Sequence, residues 1–230
     1  MSFEYIEHNV KDVLARIETA RKAAGREEPV MLLPAVKYAA PEEIEYLYRG
    51  LGIRQVGENR VQQMLEHMEQ INCPDLEFHF IGTLQTNKVK YIIDKVKMIH
   101  SVDSLKLARE IDRQASKHSI VMDVLVEINS GAEESKSGVL PEDAEALCIE
   151  ISQLEHLRLR GFMTMAPKCD KKQDYLKYFE QTYAQVLDIW AKKLHNIGRP
   201  VISMGMSDSF EEAIACGSNI VRVGRGLFAK

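Results

Sequence analysis

Lys37 stands at the end of Pro29-Val30-Met31-Leu32-Leu33-Pro34-Ala35-Val36, an almost unbroken apolar run. An ammonium aimed at the mouth of a buried core is costly unless it is paired or its pKa falls. A desolvated lysine amine is also the usual protein nucleophile toward aldehydes. Lys37 reads equally as a strand-end lysine that snorkels to water. A second group is Ser207-Asp208-Ser209, just before a helix predicted over Phe210 to Ala215, together with Gly224. Serine hydroxyls and free backbone N–H groups at such a turn favour an anion, and glycine lets a ligand approach the backbone closely. An ordinary helix cap plus a tight turn has the same sequence. The third residue is Arg222, set among Ile220, Val221 and Val223. A guanidinium stays charged there and needs a carboxylate inside the fold or an acceptor on a ligand.

The elements that position these residues alternate. An opening helix shows Ile6, Val10, Val13, Leu14 and Ile17 at spacings of three and four. Strand-like runs follow at Val30 to Tyr38, Gln55 to Glu58, Glu77 to Gly82, Lys97 to Val102, Val121 to Asn129, Leu157 to Met165, Val201 to Met206 and Ile220 to Phe228. Helix-like stretches fall between them at Glu42 to Arg49, Arg60 to Ile71, Asn87 to Lys95, Leu105 to Lys117, Glu142 to Leu154, Lys172 to Leu194 and Phe210 to Ala215. About eight strand–helix units predict an α/β fold, a (β/α)8 TIM barrel with one additional N-terminal helix, filling residues 1–230 as a single domain. A doubly wound open sheet is the competing architecture, but no GxGxxG turn follows the first strand. In a barrel, chemistry gathers at the C-terminal strand ends. Lys37, Asn59, Ser207, Arg222 and Gly224 all fall there.

Composition narrows the function classes. Thirty Lys and Arg face 34 Asp and Glu, for a formal charge of −4, which argues against nucleic-acid binding driven by bulk charge. No apolar run is long enough to span a bilayer, and Met1-Ser2-Phe3-Glu4-Tyr5 has neither a basic start nor an apolar stretch. Cys73, Cys148, Cys169 and Cys216 are scattered without a CxxC pair. They read as reduced thiols of a cytoplasmic protein, and no metal site is expected.

An amine, an anion cradle and a fixed cation around one barrel mouth suit pyridoxal 5′-phosphate (PLP), with its aldehyde at the lysine, its phosphate at the serine and glycine loops and its ring nitrogen at the arginine. At these residues the chain resembles the YggS/PROSC family of pyridoxal phosphate homeostasis proteins. The resemblance runs almost end to end. It is carried by Ala35-Val36-Lys37, Gly57-Glu58-Asn59, His79-Phe80-Ile81-Gly82, His100-Ser101-Val102-Asp103, Ser135-Lys136-Ser137-Gly138, Arg160-Gly161-Phe162-Met163, Ser203-Met204-Gly205-Met206-Ser207-Asp208 and Val221-Arg222-Val223-Gly224. It implies a barrel of the alanine racemase type, with Lys37 as the Schiff-base lysine and Asn59 beside the cofactor ring. It also implies Met206 packed near the cofactor, Ser207, Gly224 and the backbone of Arg225 at the phosphate, and Arg222 at the pyridine nitrogen. Two positions depart from the family pattern. Arg60 stands where many relatives have tyrosine, and Arg225 where threonine is common.

The same resemblance implies a monomeric PLP carrier or buffer that serves apo-PLP enzymes, more than a catalyst. Racemisation needs acid/base groups on both faces of an amino-acid Cα, and Lys37 serves one. An arginine at the ring nitrogen also weakens the ring as an electron sink. The alternatives are a PLP-dependent amino-acid racemase or lyase of weak activity, and a Schiff-base aldolase without PLP. His79 and His100 read as structural histidines, and Lys136 as a solvated loop lysine. Glu58 reads as a partner either of Asn59 or of a nearby cation.

Overall fold

A computed structural model describes residues 3–133, 137–193 and 198–230. Eight parallel strands form one sheet: β1 Met31–Pro34, β2 Gln55–Glu58, β3 Glu77–Phe80, β4 Val96–Val102, β5 Met122–Ile128, β6 Leu157–Thr164, β7 Val201–Ser203 and β8 Ile220–Val223. Their order is β1-β8-β7-β6-β5-β4-β3-β2. The two ends meet through a parallel bridge between Ala35 and Gly57, with Val36 N–H donating to the Gly57 carbonyl at 3.0 Å. The result is a nearly closed TIM-type barrel with helices outside it.

Alternation along each strand explains both layers of the interior. Outward residues such as Leu32 and Val36, Val56, Phe78 and Phe80, Val124 and Val126, and Val221 and Val223 join one large core beneath the helices. Inward residues form two smaller clusters inside the barrel, Leu33, Ile81 and Ile220 in one and Met98, Leu125 and Met163 in the other. Period two also makes His79, His100, Glu127, Ser203 and Arg222 inward-facing, all buried. They form a polar layer toward the C-terminal strand ends. Gly161 lets β6 run beside β7: its φ is +151°, and a Cβ there would lie 1.9 Å from the Val201 carbonyl oxygen.

Helices α1 Glu4–Ala23, α2 Pro41–Arg49, α3 Val61–Gln70, α4 Leu105–Lys117, α5 Ala144–Ser152, α6 Lys172–Ala191, α7 Phe210–Ala215 and α8 Arg225–Phe228 surround the sheet. Helix α1 buries Ile6, Val10, Val13 and Ile17, while Leu14 is exposed. Its Asn9 amide donates to the Leu227 and Ala229 carbonyls at 3.2 and 2.8 Å. Its Arg16 forks onto Glu211 of α7, with both bonds at 3.1 Å. Lys172 adds a third contact to that carboxylate at 2.9 Å, and the cations pull the Glu211 pKa down to about 2. The added helix thus fastens the two short helices that follow β7 and β8.

Several predicted boundaries move. The eighth strand stops at Val223, and Arg225–Phe228 turns into α8, because Gly224 and the Leu227 N–H to Gly224 carbonyl bond (2.9 Å) break the ladder. The seventh stops at Ser203, ahead of Gly205 at φ +94°. Asn87 to Lys95 contains a 3-10 turn over Thr86–Tyr91, too short for the α-helical period to express itself.

Candidate functional site

The first strand ends at Pro34, so Lys37 lies beyond it in a turn and is exposed. Of the two readings open in the sequence this is the lysine that reaches water, and the correction is to its place: a turn, three residues past the strand end. After the Ala35–Gly57 bridge the chain turns outward through Ala39 N–H to the Val36 carbonyl (2.9 Å). Gln63 of α3 donates to the Lys37 carbonyl at 2.7 Å and fixes the turn. Lys37 still continues the inward series Met31, Leu33, Ala35. Its Nζ lies 4.7 Å from the Tyr38 ring centroid, and Lys37 borders a cavity of about 310 Å³. That volume is at the small end for ligand pockets, about 300–1,000 Å³.

Asn59, Glu127 and Met165 line the same cavity, with Arg60, Gln63, Ile81, Gly82 and Thr83 at its sides. Asn59 continues the inward parity of Gln55 and Gly57. Its Oδ1 is buried without a hydrogen-bond partner among the described residues, a cost that a ligand donor would relieve. Glu58 faces the other way. Its carboxylate meets His67 Nδ1 of α3 at 2.5 Å and accepts the Asn59 backbone N–H at 3.3 Å. Of the two roles that the sequence left open it takes the first, holding Asn59 from behind.

Arg222 is buried at 4% exposure, and among the described residues its guanidinium hydrogen-bonds no carboxylate. Nη1 donates to the Ser203 carbonyl at 2.6 Å and the Ser203 hydroxyl at 2.7 Å, and Nη2 donates to the Thr164 carbonyl at 2.9 Å. Burial lowers its pKa to about 10, partly offset by Glu127. Ser203 Oγ continues the polar chain to His100 Nδ1 at 3.1 Å, and His100 Nε2 meets His79 Nδ1 at 2.9 Å. Burial lowers the His79 pKa to about 4 and that of His100 well below its ordinary range, so both rings are neutral at pH 7. The two histidines buttress Arg222 through Ser203.

Met206, Ser207, Gly224 and Arg225 do not line the cavity. They form the adjoining rim, joined to the lysine loop at Ala35, whose N–H donates to the Val223 carbonyl at 2.8 Å. A Cβ on Gly224 would lie 3.0 Å from the Ala35 carbonyl oxygen, so glycine keeps the rim close to that loop. Ser207 Oγ accepts the Gly226 N–H at 3.3 Å. The Arg225 guanidinium turns away to Asp208 at 2.7 Å, with both side chains exposed. Ser209 does not cap α7. Its hydroxyl accepts the Met206 N–H at 3.3 Å and closes the turn. Met206 is 38% exposed. Lys136 and Ser135 lie outside the described residues; Ser137 meets Thr83 at the cavity edge, with the two hydroxyls 2.7 Å apart.

Sequence reasoning missed Glu127. The signal was a carboxylate at an inward parity position of Met122-Asp123-Val124-Leu125-Val126-Glu127-Ile128, where burial is expected on both faces. Burial foremost, then the Asp103 charge, raise its pKa to about 7, with Arg222 opposing. The folded carboxyl keeps its proton to about pH 7, whereas an unfolded one releases it near 4.5. Between those values the fold binds the extra proton, so Glu127 costs no stability below about pH 4.5. It costs increasingly more as pH rises toward 7, reaching about 3 kcal/mol above it. Urea unfolding of the unliganded chain should therefore show Glu127→Gln gaining on the native protein from pH 5 to pH 8. A constant difference across that range contradicts the burial assigned to this group.

The family described as "Alanine racemase, N-terminal domain" matches residues 6–230. The pyridoxal phosphate homeostasis protein of Aquifex aeolicus is 44% identical over 219 residues, covering 95% of each chain. The protein of the same name from Helicobacter pylori is 39% identical over 220 residues, covering 94% of this chain and 95% of its own. Among solved structures, PipY of Synechococcus elongatus with PLP bound superposes with a TM-score of 0.80 at 29% identity, covering 94% of this chain and 100% of that one. A barrel of eight parallel strands with an added N-terminal helix, matched along nearly its whole length, belongs to the alanine racemase N-terminal domain family and, within it, to the pyridoxal phosphate homeostasis proteins.

Proposed function

We propose that this chain, acting as one barrel domain over residues 1–230, binds PLP reversibly as a monomer in the cytoplasm and passes it to apo-PLP enzymes. The observation that carries this reading is the placement of a solvent-reachable amine, Lys37, on the same cavity as the unpartnered Asn59 Oδ1. The donor set fits the cofactor. Lys37 Nζ is the amine for its aldehyde, and Asn59 faces the ring. The Ser207 hydroxyl, the Gly224 backbone and the Arg225 N–H form the phosphate rim, with Met206 against it. Arg222 is the cation for the ring nitrogen. When bound, PLP supplies an aldehyde that links to an amine and a ring that withdraws electrons.

The residues favour holding over turnover. Arg222 is donor-only and locked to Ser203 and Thr164, so it disfavours a proton on a neighbouring ring nitrogen. The exposed lysine turn leaves water at the reacting amine. Incubation of the PLP-loaded chain with alanine or serine in deuterium oxide, followed by proton NMR, should show no Cα exchange at the rates of ordinary enzymes, about 1–1,000 s⁻¹. An apo-PLP enzyme mixed with the loaded chain should meanwhile regain activity. Fast exchange specific to one enantiomer would instead mark a racemase.

A further inference from the structure

Glu127 is a titratable side chain of the cavity wall whose purpose the fold does not supply. Among the described residues its carboxylate makes no hydrogen bond or ion pair, it is 2% exposed, and it borders the same cavity as Lys37. The barrel interior contains a cation, Arg222, whose hydrogen bonds among the described residues go to Ser203 and Thr164 and not to this acid. A purely structural position would be filled at lower cost by an apolar or amide side chain.

We propose that Glu127 is the proton-transfer group for the capture and release of an aldehyde at Lys37, an inference that rests on the function proposed above and assigns a further residue to it. Condensation at Lys37 replaces the aldehyde's carbon–oxygen double bond by a carbon–nitrogen double bond to Nζ, and both electron pairs of the broken bonds leave with the oxygen as water. Nitrogen sheds two protons and oxygen gains two. The Glu127 carboxyl gives one to the departing oxygen and recovers one from nitrogen, so its charge is unchanged at the end. Release runs the same transfers backwards.

The surroundings suit the task. Burial foremost, then Asp103 just past β4, raise the carboxyl's pKa and Arg222 on β8 lowers it, leaving it near 7 with its proton available at neutral pH. Lys37 and Arg60 face the cavity from the loops after β1 and β2. His79 and His100, the inward groups of β3 and β4, are neutral there and do not compete as acids.

Stopped-flow absorbance of PLP mixed with the unliganded full chain tests the assignment. Glu127→Gln keeps the shape and removes the transferable proton. Capture should slow by about a hundredfold, at the lower end of general acid–base contributions, with the equilibrium affinity changed far less because release slows equally. The inflection of the native capture rate near pH 7 should vanish. An independent readout is the infrared carboxylic-acid band of the unliganded chain, which should persist to about pH 7 and be missing in the variant. Unchanged capture with the inflection retained, or a band lost below pH 5, overturns the role of Glu127. A native chain that takes up no PLP overturns the proposed function itself, so the two failures are distinct.

Discussion

Lys37→Ala should abolish the covalent adduct with PLP and weaken binding by about a hundredfold, roughly 2.7 kcal/mol, while leaving the fold intact. The two halves of this expectation have separate causes. The side chain is exposed and among the described residues its assigned contact is the Tyr38 ring, 4.7 Å from Nζ, worth about 0.5–1 kcal/mol at such a site. The bond that fixes the turn runs from Gln63 to the Lys37 carbonyl, which alanine retains. Thermal unfolding should thus move little while absorbance titration loses the adduct. A variant that binds PLP as the native chain does would show that another amine takes the aldehyde.

Arg222→Leu should have the largest effect on stability, about 3–5 kcal/mol by urea unfolding. Leucine leaves the Ser203 and Thr164 carbonyls without the donors that satisfy them inside the barrel. It also frees the Ser203 hydroxyl and the His100–His79 pair behind it from the guanidinium that ends their chain. Glu127 would lose the cation that opposes its burial, so its pKa should climb further. Arg222→Lys should recover only part of the loss, because one ammonium cannot reproduce the fork. A change below about 1 kcal/mol for leucine would contradict the assigned network.

Much of this was legible in the sequence because it depends on local periodicity. Eight apolar runs spaced by amphipathic stretches give the strand count, and strand parity makes Arg222 inward-facing. What the sequence could not show depends on contacts between distant strands. The partners of Arg222 come from β6 and β7, and nothing in Ile220-Val221-Arg222-Val223 names them. Lys37 sits in a turn because Ala35 bridges to Gly57, a pairing 22 residues away that closes the barrel. Glu127 went unremarked because one acid in a β-branched run resembles an exposed edge position until the seven other strands enclose it. The anion rim is intermediate. Its serines and glycines stand out in the chain, but Ser209 serves the turn instead of the helix, and only the folded backbone shows that Ser207 reaches Gly226.

The most direct measurement is borohydride reduction of the chain loaded with one equivalent of PLP, followed by digestion and mass spectrometry of the modified peptide. The expected result is a reduced pyridoxyl group on Lys37, absent from Lys37→Ala. A label found only on other lysines, with Lys37 unmodified, would contradict the assignment of the site.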